Sequence, residues 1–482
     1  MPVFTLVSNT RKESRGDNLV NLDADWPYCN AARRLTSTVM HSSGEPEWDD
    51  LKWRRRLETF GQDDRPVITA GPEGSLDGIC QPGELTDQGR KTTHALGQRL
   101  RTLYIEQLGF MPNLIADSDM IYLRATPIPR ALESVQQAFV GLYPPSARTA
   151  AFPPPTIVTR SPADETLFPN DGVCRRFAQL SRAFAQRSAD RWNDSKELQY
   201  VSSKVGKWMP DVNEGRVKVD SRPRLSGVMD TINATDAHGS KTKLPKEFYD
   251  EKMRAIIDRI SVEEWFQGYM ESREYRMLGI GGLVADVLAR MVGNAEKDAL
   301  GVGDIGGDGT KDLGVGRGGG QEIKFGMSGC HDTTLAAALA SLGCYENEKW
   351  PPFTSHIAFE LFKKRTPASS DNQTSLAASN VDQRQQTSIW SRFFGLSSNP
   401  SDSFDGIGRT PLSELTPRQK SSLEQHYVRV KYNDRIMKVP GCAAPGKHLE
   451  GDESLCTLVS FFPHWALSLF KITKYDVLQD AF

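Results

Sequence analysis

Residues 323–343 constrain this chain more than any other stretch. Ile323 to Gly329 reads as a strand, and Thr333 to Leu342 (Thr-Thr-Leu-Ala-Ala-Ala-Leu-Ala-Ser-Leu) as a short apolar helix closed by Gly343. A strand that turns directly into a helix belongs at the carboxyl edge of an α/β sheet, where ligands bind and first-turn amides face any anion held there. His331 and Asp332 fall on that turn. An imidazole that can carry charge and a carboxyl that can give a proton suit phosphoryl chemistry. The plainer reading is that a His-Asp pair is common and that Asp332 only caps the helix.

A second strand end, turn and helix start spans Tyr122 to Ser134, with apolar residues continuing at helical spacing to Tyr143. Arg124 and Arg130 bracket the turn. A guanidinium fork binds phosphate bidentately, so an arginine at a helix start is a candidate phosphate clamp. The plainer alternative is an arginine paired with an acid. Upstream, residues 84–105 read as a helix that Thr86 can cap, with Ala95, Leu96, Leu100 and Leu103 near helical spacing. Leu114-Ile115-Ala116 and Met120 to Leu123 supply the strand that leads to Arg124.

These blocks resemble the histidine acid phosphatases, the branch of the histidine phosphatase (phosphoglycerate mutase-like) superfamily that includes phytases and prostatic-type phosphatases. Arg124 to Ser134 is similar to the family pattern R-S-T-x-x-x-R-x-x-x-S, and His331-Asp332 to its H-D. Gly83 to Gly89 is similar to G-x-L-T-x-x-G, and Ala95 to Arg101 to A-L-G-x-R-L-R. Leu167-Phe168-Pro169-Asn170, Lys349-Trp350-Pro351-Pro352-Phe353 and Gly441-Cys442 before Cys456 most resemble the lysophosphatidic acid phosphatases. The resemblance implies an α/β fold, a three-layer core around a mainly parallel sheet with an α-helical cap. It implies metal-independent hydrolysis of phosphate monoesters without a cofactor. Arg130, His331 and Arg124 would contact phosphate, and Asp332 would protonate the leaving oxygen.

One family motif is not in the sequence. The family carries R-H-G-x-R-x-P after its first strand, and that histidine takes the phosphoryl group. The eight histidines here are His41, His94, His238, His331, His356, His426, His448 and His464, none in an Arg-His-Gly context. Met1 to Lys12 stands where that strand and loop are expected and offers only Arg11. Either the segment carrying the motif is missing from this sequence, which is the preferred reading, or the protein is a pseudoenzyme that binds phosphate monoesters without turnover. Family-like sequence resumes at Asp25 to Asn30. Two further alternatives are a mutase-type transferase, whose smaller fold lacks a long cap, and a scaffold acting through an insertion.

Composition narrows the rest. The 482 residues are read as a single domain, with a core from residues 1–150 and 322–482 and a helical cap over about 151–296. Phe177 onward and Tyr269 to Met291 are the best cap helices. The segments 298–321 and 364–423 are low in complexity and read as disordered insertions, in keeping with a hydrophobic fraction of 38%. The G-x-G-x-x-G matches at 301–306 and 314–319 are rejected as dinucleotide sites, because glycine runs throughout and no βαβ unit frames them. Ile357 to Phe362 and Tyr427 to Tyr432 alternate like antiparallel strands, and Asn433-Asp434 turns the chain into Arg435 to Val439. The aromatic island Ile389 to Leu396 lies inside the second insertion, where packing is favoured over docking.

A net charge of −2 argues against nucleic acid as a partner. The expected partner is a small phosphorylated substrate, with a lysophospholipid suggested by resemblance. Seven cysteines without metal spacing give no zinc or redox site, though Cys442 and Cys456 could pair in an oxidising compartment. No run of about 18 apolar residues is present to span a bilayer. The chain as written reads as cytoplasmic, and as mitochondrial or secretory if a targeting segment precedes it.

Overall fold

Among the described residues nine strands build one sheet, and its parallel half carries the strand-to-helix turns anticipated above. A computed structural model describes residues 3–7, 19–22, 29–31, 34–42, 46–54, 58–60, 65–68, 80, 83–169, 171–239, 244–296, 323–345, 349–364 and 414–461. In chain order the strands are β1 (Val3–Val7), the hairpins β2 (Arg34–Ser42) with β3 (Pro46–Arg54) and β4 (Glu58–Phe60) with β5 (Pro66–Ile68), then β6 (Ile121–Ala125) and β7 (Ile157–Val158). They continue as β8 (Phe325–Gly329), β9 (His356–Lys363), β10 (His426–Tyr432), β11 (Arg435–Met437), β12 (His448–Leu449) and β13 (Asp452–Thr457). The main sheet runs β12-β13-β10-β9-β1-β8-β6-β7, with β11 paired to β10. From β1 to β7 the neighbours are parallel. From β1 outward through β9, β10 and β13 they are antiparallel. The β9–β10 pairing matches the alternation in their sequences, and Asn433 and Asp434, at φ 47° and 67°, make the tight turn into β11.

Helices cover both faces. On one lie α1 (Asp87–Arg101) and α2 (Pro129–Leu142), closing a core of Leu96, Leu100, Val135 and Phe139 over Phe325 and Met327. On the other, α3 (Arg175–Trp192), α4 (Lys196–Val205), α5 (Leu225–Ala237), α6 (Glu251–Glu271), α7 (Arg273–Glu296) and α8 (Asp332–Ser341) share one core with Ile357, Phe359, Val428 and Val430 of the sheet. Each fully buried Leu, Ile or Phe in these cores contributes about 1.5–3 kcal/mol. Thr86 caps α1 as its sequence suggests, Oγ1 accepting from Gly89 N at 3.1 Å.

The structure changes three readings. Tyr269 to Met291 is not one helix: Ser272 is extended and its Oγ accepts from Tyr275 N at 3.2 Å, so it ends α6 and caps α7. The segment 364–423 does not run as an insertion to its end, because α9 (Pro417–Glu424) forms there with Leu415 and Leu423 buried in the core. The remainder of that segment, including Ile389 to Leu396, and residues 298–321 lie outside the described residues. Cysteine pairing also goes further than expected, with Cys442–Cys456 joined by a disulfide and a second disulfide linking Cys29 to Cys80.

Helices α1 and α2 touch backbone to backbone. A Cβ added at Gly97 would collide with the Ala138 carbonyl, and one at Gly141 with the His94 carbonyl. Helix propensity alone predicts that Gly97→Ala gains about 1 kcal/mol, whereas overpacking costs about 1–3 kcal/mol. We expect the packing effect to win, so denaturant unfolding of Gly97→Ala should show a net loss; a gain would mean that the helices do not meet there.

Candidate active site

Three parallel strand ends define the site. The register aligns Val7 with Gly329 and Gly329 with Ala125, so the ends of β1, β8 and β6 lie side by side. After β6 comes Thr126, fully buried, and after β8 come Cys330 and His331. Thr126 Oγ1 lies 3.2 Å from His331 Nε2 and joins the two turns. Arg11, which follows β1 in sequence, falls outside the described residues.

His331, not Asp332, holds the cap position of α8, with φ −122° and ψ 160°. Its amide donates to Thr334 Oγ1 at 3.3 Å, and Thr334 Oγ1 donates to Leu167 O at 2.5 Å. That bond brings the Leu167-Phe168 segment over the turn, with the Phe168 ring 6.2 Å from the imidazole. Asp332 is the first helical residue. The helix-cap reading of Asp332 is therefore corrected, since its carboxylate is not the cap but accepts from Thr333 N at 2.8 Å and from Trp350 Nε1 at 2.8 Å.

The expected arginine clamp divides. Arg124, only 2% exposed, spends its fork on acids: Nη2 donates to Glu165 Oε1 at 2.5 Å and to Thr166 Oγ1 at 3.0 Å, and Nη1 to Asp286 Oδ2 at 3.2 Å. Arg160 Nη1 also donates to Asp286 Oδ2, at 2.6 Å. Burial opposes the Asp286 charge, but the hydrogen bond and charge of Arg160, with Thr166 and Arg124, hold its pKa below the ordinary value. For Arg124 the acid-paired alternative describes the geometry. Arg130 stands at the second position of α2, half-buried, with Nη1 beside Gly83 at the entry to α1.

Beside Asp332 opens a cavity of ≈ 770 Å³ between α5, α6, α1 and the segment 349–354. Its lining includes five carboxylates (Asp230, Asp236, Glu251, Asp258 and Asp332) and two cations (Arg254 and Lys349), so its field is net negative. Met229, Ile232, Ile257 and Phe353 supply apolar wall. Burial raises the pKa of Asp258 above its ordinary value, while its bond from Trp350 N opposes the rise. Trp350, Thr126 and Asp258 were not singled out from sequence, although Thr126 closes the Arg-Ala-Thr triplet and Trp350 lies in the Lys349 to Phe353 block. Among the described residues no group of three or more His, Cys, Asp or Glu is placed to hold a metal ion.

The sequence profile of the histidine phosphatase superfamily (branch 2) matches residues 32–381. The chain belongs to this family. A probable acid phosphatase of Schizosaccharomyces pombe is 35% identical over 445 residues, 91% of this chain and 84% of that protein. Human lysophosphatidic acid phosphatase type 6 is 25% identical over 299 residues, and the match spans 60% of this chain and 59% of that relative's length. A Hafnia alvei phytase solved with myo-inositol hexakis sulphate aligns with a TM-score of 0.49 at 12% identity, over 97% of this chain and 96% of that one. Histidine acid phosphatase membership fits a sheet edge that presents an imidazole and a carboxyl together. Among the described residues no helix is long and apolar enough to cross a membrane.

Proposed function

We propose that this site hydrolyses phosphate monoesters by a phosphohistidine route. The observation that carries the reading is the turn after β8, which puts His331 at the strand edge and the Asp332 carboxyl on the adjacent cavity. His331 and Arg130 bind equatorial oxygens of the phosphoryl group. A nucleophilic histidine attacks phosphorus, the ester P–O bond breaks as the P–N bond forms, and the departing oxygen takes the Asp332 proton. Water then attacks phosphorus, gives its proton to the Asp332 carboxylate, and the imidazole leaves. A poor alkoxide leaving group requires that proton, and charge spread over the phosphoryl oxygens requires the cationic clamp.

Strand register supports the end of β1 as the place for the nucleophile. Val7, the last residue of β1, pairs with Gly329, two residues before His331. An Arg-His-Gly-x-Arg-x-Pro loop belongs at that place, and the sequence after Val7 is Ser8-Asn9-Thr10-Arg11. We therefore expect the chain as written to hydrolyse p-nitrophenyl phosphate poorly. Replacing the segment after Val7 with the motif loop should restore turnover that is unaffected by EDTA. Strong hydrolysis by the unaltered chain, abolished by EDTA, would sink both the nucleophile assignment and the metal-free route.

The excess of carboxylates in the cavity disfavours polyphosphorylated substrates, whose remaining phosphates would face like charge. Its apolar wall, with the similarity to lysophosphatidic acid phosphatase type 6, supports a monoester of a lysophospholipid kind. A second reading, binding without turnover, is favoured by the missing motif and by the commitment of Arg124 to Glu165 and Asp286. It predicts saturable binding of p-nitrophenyl phosphate by the chain as written, which leaves the ester unhydrolysed.

A further inference from the structure

We propose that Trp350 is a positioning residue for Asp332, and that Asp258 fixes Trp350 in turn. The inference rests on the phosphatase reading for its purpose but not for its geometry. The indole Nε1 donates to Asp332 Oδ2 at 2.8 Å, while Thr333 N donates to Asp332 Oδ1 at 2.8 Å. Two donors, one on each oxygen, fix the plane of the carboxyl. The lone-pair positions left over are those at which the acid carries its proton. Without the indole, the Thr333 amide alone restrains the carboxyl, which can then turn about its own side-chain bond.

The indole is itself held from three sides. Its backbone amide donates to Asp258 Oδ1 on α6 at 3.0 Å. The Phe266 ring packs against it with centroids 4.8 Å apart, and Trp265 meets it edge-on at 6.1 Å. At 8% exposure, Trp350 has little access to water, so its N–H depends on Asp332 for a partner. Its single donor is aimed at the one carboxyl that the mechanism needs, and Trp350 and Asp332 line the same cavity.

Two measurements test the device. In the full chain, the ¹⁵N-indole signal of Trp350, identified by its loss in Trp350→Phe, should move on Asp332→Ala while the other indole signals stay. In the chain carrying the motif loop, Trp350→Phe should lower kcat on glycerol phosphate about tenfold more than on p-nitrophenyl phosphate, with KM little changed. Asp258→Asn keeps an acceptor for the Trp350 amide and should lose less activity than Asp258→Ala. An unmoved indole signal would overturn the proposal, as would equal losses on both substrates accompanied by a lower Tm. If the motif-bearing chain hydrolyses neither substrate, the phosphatase reading falls, and the indole signal alone decides whether Trp350 holds Asp332.

Discussion

Asp332→Asn, made in the chain with the motif loop, should lower turnover of alkyl phosphates by a factor on the order of 10²–10⁴ and leave aryl phosphates nearly as fast as in the parent. The asymmetry is the point of the experiment. A p-nitrophenolate leaves without help, whereas an alkoxide must be protonated as the P–O bond breaks. An amide in place of the acid has no proton to give at working pH. The fold should tolerate the change: His331 holds the cap position of α8, so capping is not lost. Asn has one acceptor oxygen for the two donors that Asp332 now serves, Thr333 N and Trp350 Nε1, so one hydrogen bond goes. A buried donor left without its acceptor costs about 1–3 kcal/mol. Comparing kcat on glycerol phosphate with kcat on p-nitrophenyl phosphate, alongside a thermal melt, separates the roles. Equal losses on both substrates with a large fall in Tm would make Asp332 structural and send the search for the acid elsewhere in the cavity.

The elements that carry the site were legible because their signals are local. A run of Thr, Leu and Ala ended by Gly343 can only be a short helix, and Gly343 indeed takes φ +72°. Thr86 before α1 and the apolar period of α2 are likewise complete within a dozen residues. What stayed hidden depends on contacts across long sequence distances. Nothing local says that β1 lies between β8 and β9, or that Cys29 meets Cys80 across 51 positions. The acid pairing of Arg124 could not be read locally because its partners, Glu165 and Asp286, are 41 and 162 residues away. Asp332 looked like a cap because Asp caps helices well, and the indole that engages it comes from the far side of the next loop. Ser272 is a different case: a serine in the middle of a helical period is a readable N-cap, and the apolar residues on both sides masked it.

Arg124→Ala should act on stability, by about 3–5 kcal/mol, the usual cost of breaking a buried ion pair by removing one partner. Glu165 is 1% exposed and, among the described residues, would keep only the Leu167 amide, at 2.7 Å, as a donor. Arg130→Ala should act on turnover instead, because Arg130 is half-buried at the start of α2, where the phosphatase reading puts its contact with phosphate. Removing a charge-assisted phosphate contact costs about 2–4 kcal/mol of transition-state stabilisation, by analogy with loss of an oxyanion donor. The ion network also bears on work at acidic pH. The folded pKa of Asp286 lies below its ordinary 3.8, so the stability it contributes is complete above that value and is lost only as pH falls further through the folded pKa. A mildly acidic optimum therefore leaves the Arg124–Asp286–Arg160 cluster charged and intact. Urea unfolding of Arg124→Ala and of Arg130→Ala at pH 5, with kinetics on both, tests the division. Should Arg124→Ala fold as stably as the parent and lose turnover by the larger factor, Arg124 is the phosphate clamp after all, released from Glu165 when the loop after β1 carries its motif.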